Sequence, residues 1–163
     1  MSDYRRNYCK GGTWFFTVNL HNRKSHLLTI HIAALRSAIV VVRREKPFDI
    51  NAWVVLPEHM HSVWTLPADE YDFSSRWREI KKHFSKSLGL QKIWQPRFWE
   101  HTIRDHNDYP RHVEYIYINP VKHGWVKQVK DWPFSTFHRD VKNGMYPQDW
   151  AGEISELNTG ERL

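Results

Sequence analysis

The sequence predicts an α+β fold, an antiparallel sheet with helices packed on it, and three observations predict it. The hydrophobic period switches several times between strand-like and helix-like along the 163 residues. Apolar residues make up 40% of the chain, enough for a core in one domain of this length. Turn residues then divide the segments into the order β-α-β-β-α-β-α.

The Gly11-Gly12 turn precedes TWFFTVNL, Thr13 to Leu20, whose aromatic and β-branched residues read as a strand. From about His26 to Glu45, the residues Leu28, Ile32, Leu35, Ile39 and Val42 recur at steps of four and three, the stripe of an amphipathic helix. FDINAWVVLP and HMHSVWTLP are two apolar runs parted by Pro57-Glu58, most simply a hairpin. A second helix, from about Phe73 to Leu88, sets Trp77, Ile80, Phe84 and Leu88 on one side and Arg78, Lys82 and Lys86 on another. RFWEHTIR supplies a fourth strand. The third helix starts at Asp108, a good N-cap, tolerates Pro110 in its first turn, and is expected to stop at Asn119 because Pro120 disfavours helix before it. This is the split βαβ arrangement of a ferredoxin-like antiparallel sheet, carried by residues 1–130. Residues 131–163 form a C-terminal extension, in which DWPFSTFHRD packs through a turn and GEISELNTGERL is a polar, mobile tail.

Twenty-four Lys and Arg against eighteen Asp and Glu leave a net charge of +6, and a basic surface suits a polyanionic partner. Nine Trp exceed what such a core needs, which leaves some to stack on bases. With Cys9 as the single cysteine, an intramolecular disulfide and a thiolate zinc cluster are excluded, and a reducing compartment fits. The N-terminal MSDYRRNYCKGG lacks the apolar centre of a signal peptide, and no apolar run approaches a membrane span, so a cytoplasmic protein without a membrane partner is expected. Walker and dinucleotide glycine motifs are absent.

Two histidines, His59 and His61, stand one residue apart in LPEHMHSVWTLP. Side chains two apart on a strand share a face, so the imidazoles either make half of a metal site or fill space. On the third helix, about 100° per residue puts Val113, Ile116 and Tyr117 on a core stripe, with Tyr115 and Asn119 roughly opposite, beside Arg111 and His112. Tyr117 is then the structural tyrosine and Tyr115 the odd one out. Two imidazoles and an Asn119 amide oxygen would leave open positions on Mg²⁺ or Mn²⁺ for phosphate oxygens, with the Tyr115 phenol one turn away. That suits tyrosine attack on a phosphodiester, since a phenol with a pKa of about 10 needs help to act as a nucleophile.

LPEHMHSVWTLP followed by HVEYIYINPVKHGWV resembles the REP-associated tyrosine transposases, single-tyrosine members of the His-hydrophobic-His nucleases. The likeness runs from GGTWFFTVNL through IWQPRFWEH to DWPFSTFHRD. It implies a ferredoxin-like core, divalent-metal dependence, and cutting of single-stranded DNA beside REP hairpins, imperfect palindromes preceded by a tetranucleotide. It also implies that the tyrosine becomes linked to the 5′ phosphate and frees a 3′ hydroxyl, and that the protein acts as a monomer. By position, His59, His61 and Asn119 would be metal ligands and Tyr115 the nucleophile. Relatives commonly carry Gln where Asn119 stands, and a water would bridge the shorter reach.

For DNA the ridge Arg78, Lys82 and Lys86, with Lys81 beside it, is a phosphate track, and Arg5-Arg6 is a second. Trp94, Arg97 and Trp99 would stack on or clamp unpaired bases. The tail, acidic near its start, would lie over the basic site and compete with DNA. The alternatives are a hairpin binder that does not cut, which charge and Trp content support equally, and a metal-dependent enzyme acting on RNA or a small phosphodiester.

Overall fold

The computed structural model describes residues 9–154 and 156–161. Its elements are β1 (Thr13–Asn19), α1 (Leu27–Ile30), α2 (Ile32–Glu45), β2 (Asp49–Val55), β3 (His59–Thr65), α3 (Phe73–Leu88), β4 (Trp99–Thr102), α4 (Asp108–Lys122) and α5 (Phe137–Lys142), with a 3₁₀ turn at Val129–Asp131 before α5. The strands lie in the order β2-β3-β1-β4 with every neighbouring pair antiparallel, the split βαβ order that the sequence predicts.

Both faces of this sheet are covered, which is why β1 and β3 are buried almost throughout instead of alternating between core and solvent. Trp14, Phe16 and Val18 of β1 join Met60 and Trp64 of β3 in a core closed by α2 and α3. There Trp64 stacks on Trp77 with ring centroids 4.2 Å apart. A large aromatic buried so deeply is worth about 3–5 kcal/mol against alanine. Phe15 points the other way, into a second core with Val54, Val63, Val113 and Ile116, which α4, Val129 and the C-terminal extension, through Trp132 and Phe137, close.

α3 has the predicted bounds because both ends are capped. The Asp72 carboxylate accepts the Ser75 N–H at 3.0 Å, and Gly89 ends the helix in the left-handed region at φ 66°. The first predicted helix is instead two. The Leu28 N–H donates to Pro57 O at 3.2 Å, tying the short α1 to the β2–β3 turn, and the chain reorients at His31 before α2.

The third predicted helix runs one turn longer than expected. Pro120 lies inside α4 and is buried, and beyond it His123 N–H donates to Asn119 O and Trp125 N–H to Pro120 O, at 3.0 and 2.9 Å. Packing across β2 and β3 holds a turn that local preference alone would end. The expected polar face is also corrected. His112, Tyr115 and Asn119 are buried with Val113, Ile116 and Tyr117, because the sheet covers one side of α4 and the extension the other. Tyr117 meets the extension, where its hydroxyl bonds the Asp140 carboxylate, and Tyr115 faces the sheet.

Candidate active site

β3 carries His59 and His61 on the α4 side of the sheet, paired across from Asn19 and Thr17 of β1. Their side chains are 1% and 0% exposed, and the rings lie 4.9 Å apart. The outer contacts of each ring set its tautomer. His59 Nδ1 lies 2.6 Å from a Glu58 carboxylate oxygen, so Nδ1 carries the proton. The Thr17 hydroxyl gives its proton to Thr159 O at 2.5 Å, which leaves His61 Nδ1 to donate to Thr17 Oγ1 at 2.8 Å. Phe15 stacks on His61 from below, with centroids 5.4 Å apart. Both Nε2 atoms therefore turn to one side and converge; facing a carboxylate each carries a hydrogen, and with the carboxylate gone each can offer a lone pair.

A carboxylate oxygen of the C-terminal tail sits where they converge. Glu161 Oε1 is 2.5 Å from His61 Nε2, 3.1 Å from His59 Nε2 and 3.2 Å from His123 Nε2, and it accepts the Asn119 Nδ2 hydrogen at 2.9 Å. Glu161 Oε2 accepts from the Tyr115 hydroxyl and from Lys122 Nζ, the latter at 2.8 Å. Lys122 Nζ and Thr159 Oγ1 each donate to the Tyr115 oxygen at 2.9 Å. Gly160 adopts φ +68° against the Trp99 ring, so that a Cβ there would lie 2.6 Å from ring atoms.

Burial drives the His61 pKa down to about 4 against the pull of Glu161, with His59 and His123 adding to the fall. Burial also opposes charge on His59, but the Glu161 and Glu58 carboxylates outweigh it and raise its pKa. Glu161 loses hydration too, yet His123, His59 and His61 hold it well below the usual carboxylate range. Burial and Glu161 push the Tyr115 phenol up to about 12, opposed by Lys122 and Thr159.

Sequence reasoning therefore brings His59, His61, Tyr115 and Asn119 to one place, and it misses Thr17, Glu58, Lys122, His123 and Glu161. Lys122 and His123 had a signal, since they follow Tyr115 by about two helical turns, but it is lost if the helix stops at Asn119. The tail reaches the site through Glu161 near its end, and Glu153 and Glu156 near its start are exposed. His59, His61 and Glu161 offer ligand atoms within 4.8 Å of one another, a group that could hold a metal ion, as do His101, Asp108 and His112.

The predicted DNA contacts divide. Arg78, Lys81, Lys82 and Trp94 line one groove of about 510 Å³ with Lys92 and Phe98, on the side of the sheet that α3 covers. Lys81 Nζ donates to Gln95 O at 3.1 Å and lies over the Trp94 and Phe98 rings, while the Trp94 indole N–H donates to Lys81 O and Ser85 Oγ. Lys86 and Arg97 are exposed outside that lining, and Trp99 stands on β4 beneath Gly160. Arg5 and Arg6 lie outside the described residues. Gln95, which lines the groove, donates its N–H at 3.0 Å to Asn19 O, across from His59, so the groove on one face and the imidazoles on the other lie towards the same end of the sheet. Among the described residues no helix is long and apolar enough to cross a membrane.

No protein-family model matches the sequence. Individual relatives do. The chain is 69% identical over 163 residues to the REP-associated tyrosine transposase of Escherichia coli K12, covering 100% of this chain and 99% of the relative. A Haemophilus influenzae protein provisionally assigned to the same group is 45% identical over 166 residues, covering 93% of this chain and 94% of the relative. Among solved structures, a REP-associated tyrosine transposase bound to a REP hairpin matches with a TM-score of 0.98 at 69% identity, over 100% of this chain and 99% of that one. The chain belongs to the REP-associated tyrosine transposases.

Proposed function

We propose that this chain cuts and rejoins single-stranded DNA beside a REP hairpin and its adjacent tetranucleotide, with Tyr115 as nucleophile and a divalent cation held by His59, His61 and Asn119. The observation that carries the proposal is the convergence of the two Nε2 atoms at a point one carboxylate away from the Tyr115 hydroxyl. The donor set fits a cation. The Glu58 carboxylate holds His59 in the tautomer that ligates, Thr17 Oγ1 can accept from His61 Nδ1 to the same end, and Asn119 Oδ1 is buried without a hydrogen-bond partner among the described residues. Turning the amide presents that oxygen where Nδ2 now meets Glu161. Mg²⁺ or Mn²⁺ bound there would polarise the scissile phosphate and offset charge on the leaving oxygen, imidazole favouring Mn²⁺ and abundance Mg²⁺.

In the step itself, the Tyr115 oxygen bonds to phosphorus as its proton leaves to solvent. The bond from phosphorus to the 3′ oxygen breaks, and that oxygen takes a proton to become a free 3′ hydroxyl. The 5′ phosphate stays on the tyrosine, and reversal by a second 3′ hydroxyl rejoins the strand without external energy. The hairpin-bound relative supports the partner, and the groove along α3 gives the strand a basic path to the site's end of the sheet.

The test is incubation of a labelled REP hairpin with Mn²⁺ or Mg²⁺, followed by a denaturing gel for a protein-linked product. An adduct that a chelator abolishes is expected. Tight binding with no adduct would put the non-cleaving binder in its place.

Two further results are expected. His59→Ala or His61→Ala should weaken Mn²⁺ binding, read by paramagnetic resonance of free ion, at least about tenfold; unchanged affinity would remove the imidazoles as ligands. Alanine at both Arg78 and Lys82, exposed on α3, should weaken hairpin binding and flatten its dependence on salt by up to about two units of log–log slope. Equal binding at two salt concentrations would take the ridge out of the DNA path.

A further inference from the structure

We infer that Lys122 is a catalytic residue that grips the scissile phosphate and the attacking oxygen of Tyr115 together, with the Glu161 carboxylate marking where that phosphate sits. The inference rests on the phosphotyrosine reading and names a group that reading lacks.

The Glu161 carboxylate bridges the two halves of the site. One oxygen meets the imidazoles and Asn119, and the other meets the nucleophile and Lys122. A phosphodiester presents the same feature, two anionic oxygens on one centre, and the two contact sets are those that a phosphate under attack requires. With the carboxylate withdrawn, a non-bridging phosphate oxygen can take the place of Oε2, and phosphorus then lies next to the Tyr115 oxygen.

Lys122 is built to serve that position. Its ammonium has three donors and no acceptor, and here it spends two of them, at 2.9 Å on the Tyr115 oxygen and at 2.8 Å on Glu161 Oε2. A group holding the attacking oxygen and a non-bridging oxygen of the phosphate under attack brings the reacting pair together directly. The ammonium also lies 4.8 Å from the Tyr115 ring centroid, a cation–π contact that does not depend on the tail. At 21% exposed, the side chain stands at the mouth of the site, open to substrate. Tyr115, Asn119 and Lys122 follow one another at four and three residues along α4, so one helical stripe presents nucleophile, amide and ammonium. Positive charge at this point meets the charge that gathers on the phosphate oxygens during transfer, and proton balance is unchanged because Lys122 remains an ammonium throughout.

A rival role is that Lys122 merely anchors the tail. The two roles separate in full-length protein carrying Lys122→Met, which keeps most of the stem, alone and combined with Glu161→Ala. If Lys122 is catalytic, the rate of adduct formation at saturating hairpin falls about 10²–10³-fold on both backgrounds while hairpin affinity changes less than about threefold. Lys122→Arg, which keeps the charge, restores part of the rate. If Lys122 is only an anchor, Lys122→Met alone speeds the adduct and adds nothing to Glu161→Ala, which overturns the inference. An adduct missing even from the unsubstituted protein and from Glu161→Ala would instead reject the phosphotyrosine reading beneath it.

Discussion

Replacing Tyr115 by phenylalanine is expected to abolish the covalent DNA adduct, and replacing Tyr117 is expected to leave it. The two phenols are two residues apart on α4 yet face opposite ways. The Tyr115 hydroxyl lies among Lys122, Thr159 and Glu161, with the ring 5.5 Å from that of His61. The Tyr117 hydroxyl bonds Asp140 and Thr136 of the C-terminal extension, where burial and the Asp140 carboxylate push its pKa far up. Tyr115→Phe removes the atom that would bond to phosphorus, so adduct formation should drop at least about 10³-fold while hairpin binding persists. Tyr117→Phe takes the phenol from the buried Asp140 Oδ2 while Arg139 keeps Oδ1, at a cost of about 1–3 kcal/mol, and should lower the melting temperature without stopping the chemistry. The comparison belongs at a temperature where both variants are folded. An adduct that survives Tyr115→Phe, or one lost from folded Tyr117→Phe, would move the nucleophile elsewhere.

Freeing the tail should have the second largest effect, an increase. Glu161 holds the convergence point of the imidazoles and the hydroxyl of Tyr115 at once, and in that state the phenol sits near pKa 12 and DNA has no room. Truncation after Gly152 should therefore raise both hairpin affinity and the rate of adduct formation, as should Glu161→Gln, which gives up the charge. Gly160→Ala is a sharper probe. A left-handed backbone at φ +68° costs an alanine roughly 1–2 kcal/mol, and the added methyl meets Trp99 at 2.6 Å, so docking should weaken at least about tenfold with no change in the site itself. Fluorescence of a label on the tail, read beside the adduct rate, checks each step. If truncation leaves affinity and rate as they were, the docked tail does not compete with DNA.

Much of this arrangement was legible in the residues. The strand run from Thr13, the helix from Phe73 to Leu88 and the Pro57-Glu58 break follow from short-range periods and caps, and the structure keeps them. His59 and His61 share a face because any strand with that spacing would place them so. The differences share a cause. A helix with one buried side puts Tyr115 on a polar face, whereas two layers enclose α4. Pro120 disfavours helix before it, yet packing carries the helix past it to Lys122.

What the sequence by itself determined was the order of the elements, the pairing of the two histidines and the Tyr115–Asn119 spacing, because each depends on neighbours within a few turns or pleats. What only the tertiary structure decided was which atoms face the Tyr115 hydroxyl. The Tyr115 hydroxyl meets a carboxylate 46 residues away, and His61 meets the same carboxylate across 100 residues. Contacts of that separation leave no periodic trace, since they come from a tail that returns to a folded sheet.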